Sequence, residues 1–250
     1  MRKPVLAGNW KMNKGPGDAT AFFAAFLNAY RRDENRTVMF FPPALSLAAA
    51  QAAIAERGDI MLGVQNIHWE ENGAFTGEIS AAIAAQANAT CVLAGHSERR
   101  HIFGETDEEV GRKCAAALAA GLTPIACAGE TLEQREAGQL SEILLRQLDA
   151  VMDAIPDDAD DRLVVAYEPV WAIGTGVNAT PADAAEAHGV LRARLAERYG
   201  RRQAGAIPIL YGGSVKPGNA ADLLAADGVD GLLVGGASLE PLAFAKIASA

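Results

Sequence analysis

One carboxylate, Glu168, stands between an apolar run and a glycine-bracketed loop in the segment Ala166–Gly176, AYEPVWAIGTG. The run Leu163–Tyr167 (LVVAY) reads as a buried strand. Pro169 disfavours helical angles in the residue before it, which holds Glu168 extended where that strand ends. Val170, Trp171, Ala172 and Ile173 are apolar where loops are normally polar, and Gly174 and Gly176 bracket Thr175 in a permissive tip. A base beside an apolar, hinged flap over 169–176 suits proton abstraction shielded from water. An isolated Glu-Pro also fits a surface acid, so the rest of the chain must decide.

Other residues capable of chemistry fall just after apolar runs. Asn9 and Lys11 lie in GNWKMN, and His96 opens HSERR, a segment able to begin a short helix. The positive end of a helix dipole disfavours an imidazolium, so a neutral His96 is expected, still able to donate one hydrogen bond. Lys11 reads either as a solvated charge or as a fixed cation near a phosphate and a developing enolate oxygen. The clusters Gly212-Gly213-Ser214 and Gly235-Gly236 offer backbone N–H groups that bind phosphate without a cationic side chain. Each cluster alone is as well explained by a tight turn. His68, His101 and His188 read as structural. The chain has no GxSxG, HExxH or GxxxxGK[ST] pattern, which argues against a serine nucleophile, zinc hydrolysis or a nucleotide triphosphate.

These residues need a frame. Eight short apolar runs are marked, Val5–Gly8, Val38–Phe41, Ile60–Val64, Cys91–Ala94, Pro124–Cys127, Leu163–Tyr167, Ile207–Tyr211 and Gly231–Val234. Helical segments are expected between them, among them Ala19–Tyr30, Leu45–Arg57, Glu108–Ala120, Leu132–Met152, Ala182–Tyr199 and Leu239–Ala248. Asp18, Ser46, Asp107 and Thr180 read as N-caps, and Gly121 and Gly200 as stops. Strands alternating with helices predict an α/β fold with a parallel sheet, and eight units without a linker predict a (β/α)8 barrel over a single domain, 1–250. An open doubly wound sheet is the competitor, but no GxGxxG follows the first strand. In a barrel the chemistry sits on the loops after the strands, and the last two carry phosphate. Asn9, Lys11, His96, Glu168 and both glycine clusters all meet that condition. The acidic run 157–161 reads as a solvated loop.

The 250 residues carry a net charge of −9, which argues against nucleic acid as a partner. No apolar run is long enough to span a membrane, and MRKPVLAGNW lacks a signal-peptide core. Cys91, Cys114 and Cys127 show no metal spacing and fit free thiols in a reducing cytoplasm.

The chain resembles the triosephosphate isomerase family over essentially its whole length. The matching blocks are GNWKMN, Gln65-Asn66, GAFTGE (Gly73–Glu78), GHSERR (Gly95–Arg100), AYEPVWAIGTG, YGGSV (Tyr211–Val215) and VGGASL (Val234–Leu239). The resemblance implies interconversion of dihydroxyacetone phosphate and D-glyceraldehyde 3-phosphate through an enediol(ate), with no cofactor and no metal. It implies Glu168 as the base, His96 as the neutral electrophile, and Lys11 and Asn9 as stabilisers of charge. Gly174, Ser214, Gly235 and Gly236 would bind the phosphate, and Tyr211 would meet the closed flap. Glu98 and Cys127 are similar to the family's supporting carboxylate and buried cysteine. It also implies a homodimer, with Phe75 and Thr76 of the 73–78 loop reaching toward the partner. Phe75 could instead pack on its own barrel. The chain departs from the family at Ala128, where a larger aliphatic residue is common, and at Val177-Asn178, where a Lys is common. The alternatives are a barrel isomerase for another phosphosugar and a non-catalytic barrel.

Overall fold

Alternation along the strands divides the interior into two layers. Val5, Ala7, Phe41, Leu93, Cys127 and Ala166 belong to one buried cluster. Their chain neighbours Leu6, Phe40, Val92 and Tyr167 belong to another, shared with Phe23, Val110, Leu148 and Leu191. Side chains of a strand point alternately to its two faces, so the first cluster fills a lumen and the second glues strands to outer helices. The structure, a computed structural model, describes residues 3–156, 162–173 and 179–250.

Among those residues the strands are β1 (Val5–Asn9), β2 (Thr37–Phe41), β3 (Ile60–Val64), β4 (Cys91–Ala94), β5 (Thr123–Ala128), β6 (Val164–Tyr167), β7 (Ile209–Tyr211) and β8 (Gly231–Val234). The helices are α1 (Pro16–Ala29), α2 (Leu47–Ala53), α3 (Ala81–Gln86), α4 (Ser97–Phe103), α5 (Asp107–Ala119), α6 (Leu132–Glu136), α7 (Leu140–Ala154), α8 (Pro181–Ala204), α9 (Ala220–Leu224) and α10 (Pro241–Ala248). The strands pair in chain order into a closed barrel. Val5 pairs with Thr37 on β2 and with Gly231 on β8, so the first strand closes on the last, in parallel. The closed (β/α)8 barrel expected from the alternation is therefore what forms, and the open sheet is excluded.

Several expected helices change shape for local reasons. The segment Leu132–Met152 is not one helix. It breaks at Gly138, whose φ of +71° lies in the left-handed region, leaving α6 and α7. The segment Leu45–Arg57 yields a short 3-10 turn at Ala44–Ser46 followed by α2 alone. Asp18 is not a cap but lies one turn inside α1, where its carboxylate accepts from the Gly15 N–H at 3.1 Å. Thr106, not Asp107, caps α5, with Glu109 completing a capping box. Ser46 precedes α2 without capping it; its hydroxyl donates to the Lys14 carbonyl at 2.7 Å. Thr180 caps α8 as expected, with Pro181 next and Asp183 closing the box. The acidic run at 157–161 lies outside the described residues.

Candidate active site

Glu168 continues the β6 ladder by one residue, its N–H donating to the Ala128 carbonyl at 2.8 Å. It shares the parity of Val164 and Ala166, which sends its side chain toward the barrel axis at the mouth. The side chain is 3% exposed, with Oε1 3.0 Å from His96 Nε2. Oε2 accepts from the Ser97 backbone N–H at 2.8 Å. His96 itself is the N-cap of α4, and its Nδ1 accepts from the Glu98 N–H at 3.2 Å. A nitrogen that accepts carries no proton, so the ring is the neutral tautomer with its proton on Nε2. Nε2 then donates to Glu168, and that proton is placed to meet a substrate oxygen.

Lys11 has a backbone φ of +52°, unusual for a residue with a side chain. Its N–H donates to Asn9 Oδ1 at 2.9 Å, and Gln65 Nε2 donates to its carbonyl at 2.8 Å. Trp10, fully buried against Phe22 at 4.8 Å between ring centres, anchors the chain just before it. The turn thus holds a conformation that costs about 1–3 kcal/mol, and it delivers the ammonium to Glu98 Oε1 at 2.6 Å. Asn9 uses its oxygen on Lys11, leaving its amide N–H groups to face the cleft.

A cleft of about 590 Å³ opens at this end of the barrel, lined by Asn9, Lys11, His96 and Glu168 on one side and by Gly212, Gly213, Ser214, Gly235 and Gly236 on the other. Lys11 runs past Gly235, where an added methyl would meet its Cε at 3.4 Å. Asn219 braces the turn after β7 by donating to the Ser214 carbonyl at 3.1 Å. The structure therefore brings Asn9, Lys11, His96, Glu168, Ser214, Gly235 and Gly236 to one cleft. Gly174 and the rest of the flap's tip, through Val177-Asn178, lie outside the described residues, and Ile173 lines the cleft just before them.

The sequence profile of the family described as triosephosphate isomerase matches residues 4–250. The chain belongs to the triosephosphate isomerase family. It is 49% identical over 251 residues to the triosephosphate isomerase of an Azoarcus species, covering 100% of both chains. It is 46% identical over 248 residues to that of Solibacter usitatus, covering 99% of each. With that of Chloroflexus aurantiacus the identity is 47% over 247 residues, covering 99% of this chain and 98% of the relative.

Around the cleft this triosephosphate isomerase family member carries supports that the sequence reading passed over. Gly129 lies so close to Glu168 that a Cβ there would fall 1.7 Å from the Glu168 carbonyl oxygen. Gly213 is held in the same way, since a Cβ would lie 2.1 Å from the Tyr211 hydroxyl and 3.0 Å from Pro169 Cγ. Glu130 is fully buried and accepts from Tyr167 Oη at 3.0 Å and from Trp171 Nε1 at 2.8 Å. Burial pushes its carboxyl above the usual range. Its position after β5 was visible in the sequence, but nothing in its neighbours pointed to Trp171. Lys113 and Arg99 both pair with buried Glu105, which accepts from the Gly95 N–H at 3.1 Å and so fixes the turn before His96.

Glu98 stands against Lys11. Cys127 is buried in the lumen layer, its thiol pushed up by burial. Tyr211 is fully buried, and its hydroxyl has no partner among the described residues. Phe75 is 43% exposed and also lies over His68, with ring centres 4.1 Å apart. It partly packs on its own barrel, and Thr76 beside it is exposed. Met12, Leu45, Ile83, Ile102 and Phe103 are exposed as well. These and Phe75 come from segments following β1, β2, β3 and β4, successive neighbours in the barrel, while exposed Leu132 and Leu242 follow β5 and β8.

Proposed function

We propose that the cleft interconverts dihydroxyacetone phosphate and D-glyceraldehyde 3-phosphate. The observation that carries this reading is the Glu168–His96 pair, at 3.0 Å, facing the glycine turns across one cleft. Glu168 takes a proton from the carbon next to the carbonyl and returns it to the neighbouring carbon. The His96 Nε2–H donates to the carbonyl oxygen as negative charge develops there. Lys11 and the Asn9 amide lie beside it to stabilise the enediolate, and N–H groups of the turns at Ser214, Gly235 and Gly236, with Gly174 on the flap, bind the phosphate. The flap over 169–176 closes on the substrate and meets Tyr211, whose unpartnered hydroxyl supports that role. Exclusion of water protects the enediolate, which can otherwise lose phosphate. Glu98 and Cys127 support this set from beneath.

The chain acts as a single domain over 1–250 and as a homodimer. Exposed apolar residues following β1–β4, with Phe75 of the 73–78 loop among them, support the dimer. Among the described residues no helix is long and apolar enough to cross a membrane. The three cysteines are free and buried, which supports the cytoplasm as its compartment.

The test is isomerase turnover of wild type and Glu168→Asp. Shortening the side chain by one methylene moves the carboxylate off its near-attack position and lowers kcat by about 10²-fold. An inactive wild-type protein removes the reaction, and a fully active Glu168→Asp removes the base.

A further inference from the structure

The charges at the cleft do not by themselves favour a dianion. The chain has 31 acidic against 22 basic residues. Lys11 is taken up by Glu98 at 2.6 Å, Glu168 adds a carboxylate, and His96 is neutral. At the reacting end one cation, Lys11, therefore stands with two carboxylates, Glu98 and Glu168, inside a protein of net negative charge.

Lys216 lines the same cleft on the phosphate side. Unlike Lys11, its ammonium has no ion-pair partner among the described residues. Its backbone is fixed, the N–H donating to Asn219 Oδ1 at 2.7 Å and the carbonyl accepting from the Asn219 and Ala220 N–H groups at 3.1 Å each. Asn219 also holds Ser214, so one side chain locks the phosphate turn and the base of Lys216 together. The ammonium is thus tethered two residues from a phosphate-binding position and is not neutralised.

We propose that Lys216 recruits the phosphate dianion of the substrate into the cleft, offsetting the Lys11–Glu98–Glu168 charges. This rests on the triose-phosphate reading of the site. Lys11 is committed to Glu98 and to the reacting end, whereas Lys216 acts at the rim on approach and capture. A single charge acting on a dianion at about 8 Å through water changes its capture by about fivefold; about 0.1 M salt screens roughly half of that energy, and about 0.3 M most of it.

The experiment compares wild type, Lys216→Gln and Lys216→Arg between about 10 mM and 300 mM ionic strength. It measures steady-state kinetics and, by calorimetry, the binding of inorganic phosphate. At low salt Lys216→Gln is expected to lose about fivefold in kcat/KM, carried by KM rather than kcat, and to bind phosphate about fivefold more weakly. The deficit closes as salt rises, and Lys216→Arg restores both quantities. Unchanged kcat/KM and phosphate affinity at low salt overturn the proposal. So does a deficit that is equal at every salt concentration, which marks a disturbed turn and not a lost charge. A wild-type protein without turnover removes the isomerase reading, while the phosphate titration still decides the role of Lys216.

Discussion

Glu168 Oε2 accepts a 2.8 Å hydrogen bond from the Ser97 backbone N–H, at the first residue of α4. The same helix start carries His96 as its cap. One helix end therefore orients both the base and the electrophile, although they come from β6 and β4. It also holds the carboxylate with both oxygens occupied. Each oxygen uses one lone pair in these contacts and keeps another, so the held carboxylate can still accept a proton from substrate.

Gly129 sets how closely β5 and the Glu168 backbone approach. In Gly129→Ala the methyl overlaps the Glu168 carbonyl, at 1.7 Å, and the backbone must shift. Destabilisation of about 1–3 kcal/mol is expected from overpacking. A fall in kcat of at least about tenfold follows from the displaced base. Thermal melts and steady-state kinetics check both.

Glu130 is the acceptor for the buried Tyr167 hydroxyl and the half-buried Trp171 indole N–H at the root of the flap. Glu130→Leu removes the acceptor of the buried Tyr167 hydroxyl, with an expected loss of about 1–3 kcal/mol. Glu130→Gln retains an acceptor oxygen for Tyr167 and is expected to lose less than about 1 kcal/mol. Urea unfolding followed by far-ultraviolet circular dichroism separates the two variants.

His188 gives the fold a pH dependence. It is fully buried, with Nδ1 3.0 Å from the Gly228 carbonyl, and burial lowers its pKa from 6.5 to about 4. Between those values the unfolded chain binds a proton that the folded chain does not. Stability therefore falls as pH drops through 6.5 toward 4, by on the order of 3 kcal/mol in all. Denaturation midpoints should decline over that window in wild type and decline less in His188→Gln.

Thr76 is exposed at the end of the loop proposed to enter a partner. Thr76→Arg is expected to shift the sedimentation profile toward monomer at low concentration. An unchanged profile would show that the loop does not form the contact.

The barrel was readable from the sequence because each strand is a short apolar run and each helix has a different period. The lengths of helices were harder, since Gly138 splits Leu132–Met152 through one left-handed residue that a periodicity average absorbs. Asn9, Lys11, His96 and Glu168 were legible because each lies at, or within two residues of, the C-terminal end of a strand. Gly129 and Glu130 follow one too, but their importance depends on distances to Glu168, Tyr167 and Trp171 across the sheet. Asn219 was hidden for the same reason, as its two contacts exist only once the turn is folded. The exposed sector was half legible. Phe75 stood out beside its glycines, whereas Met12 and Leu45 need the barrel order to place their segments after adjoining strands.

The left-handed backbone at Lys11 separates two demands on the same position. For folding alone, glycine would suit that turn better. Lys11→Gly would give up the ammonium that meets Glu98, and with it the cation of the reacting end. Any search for hardier variants that scores only heat resistance will therefore drift toward glycine at this site and discard turnover as it goes.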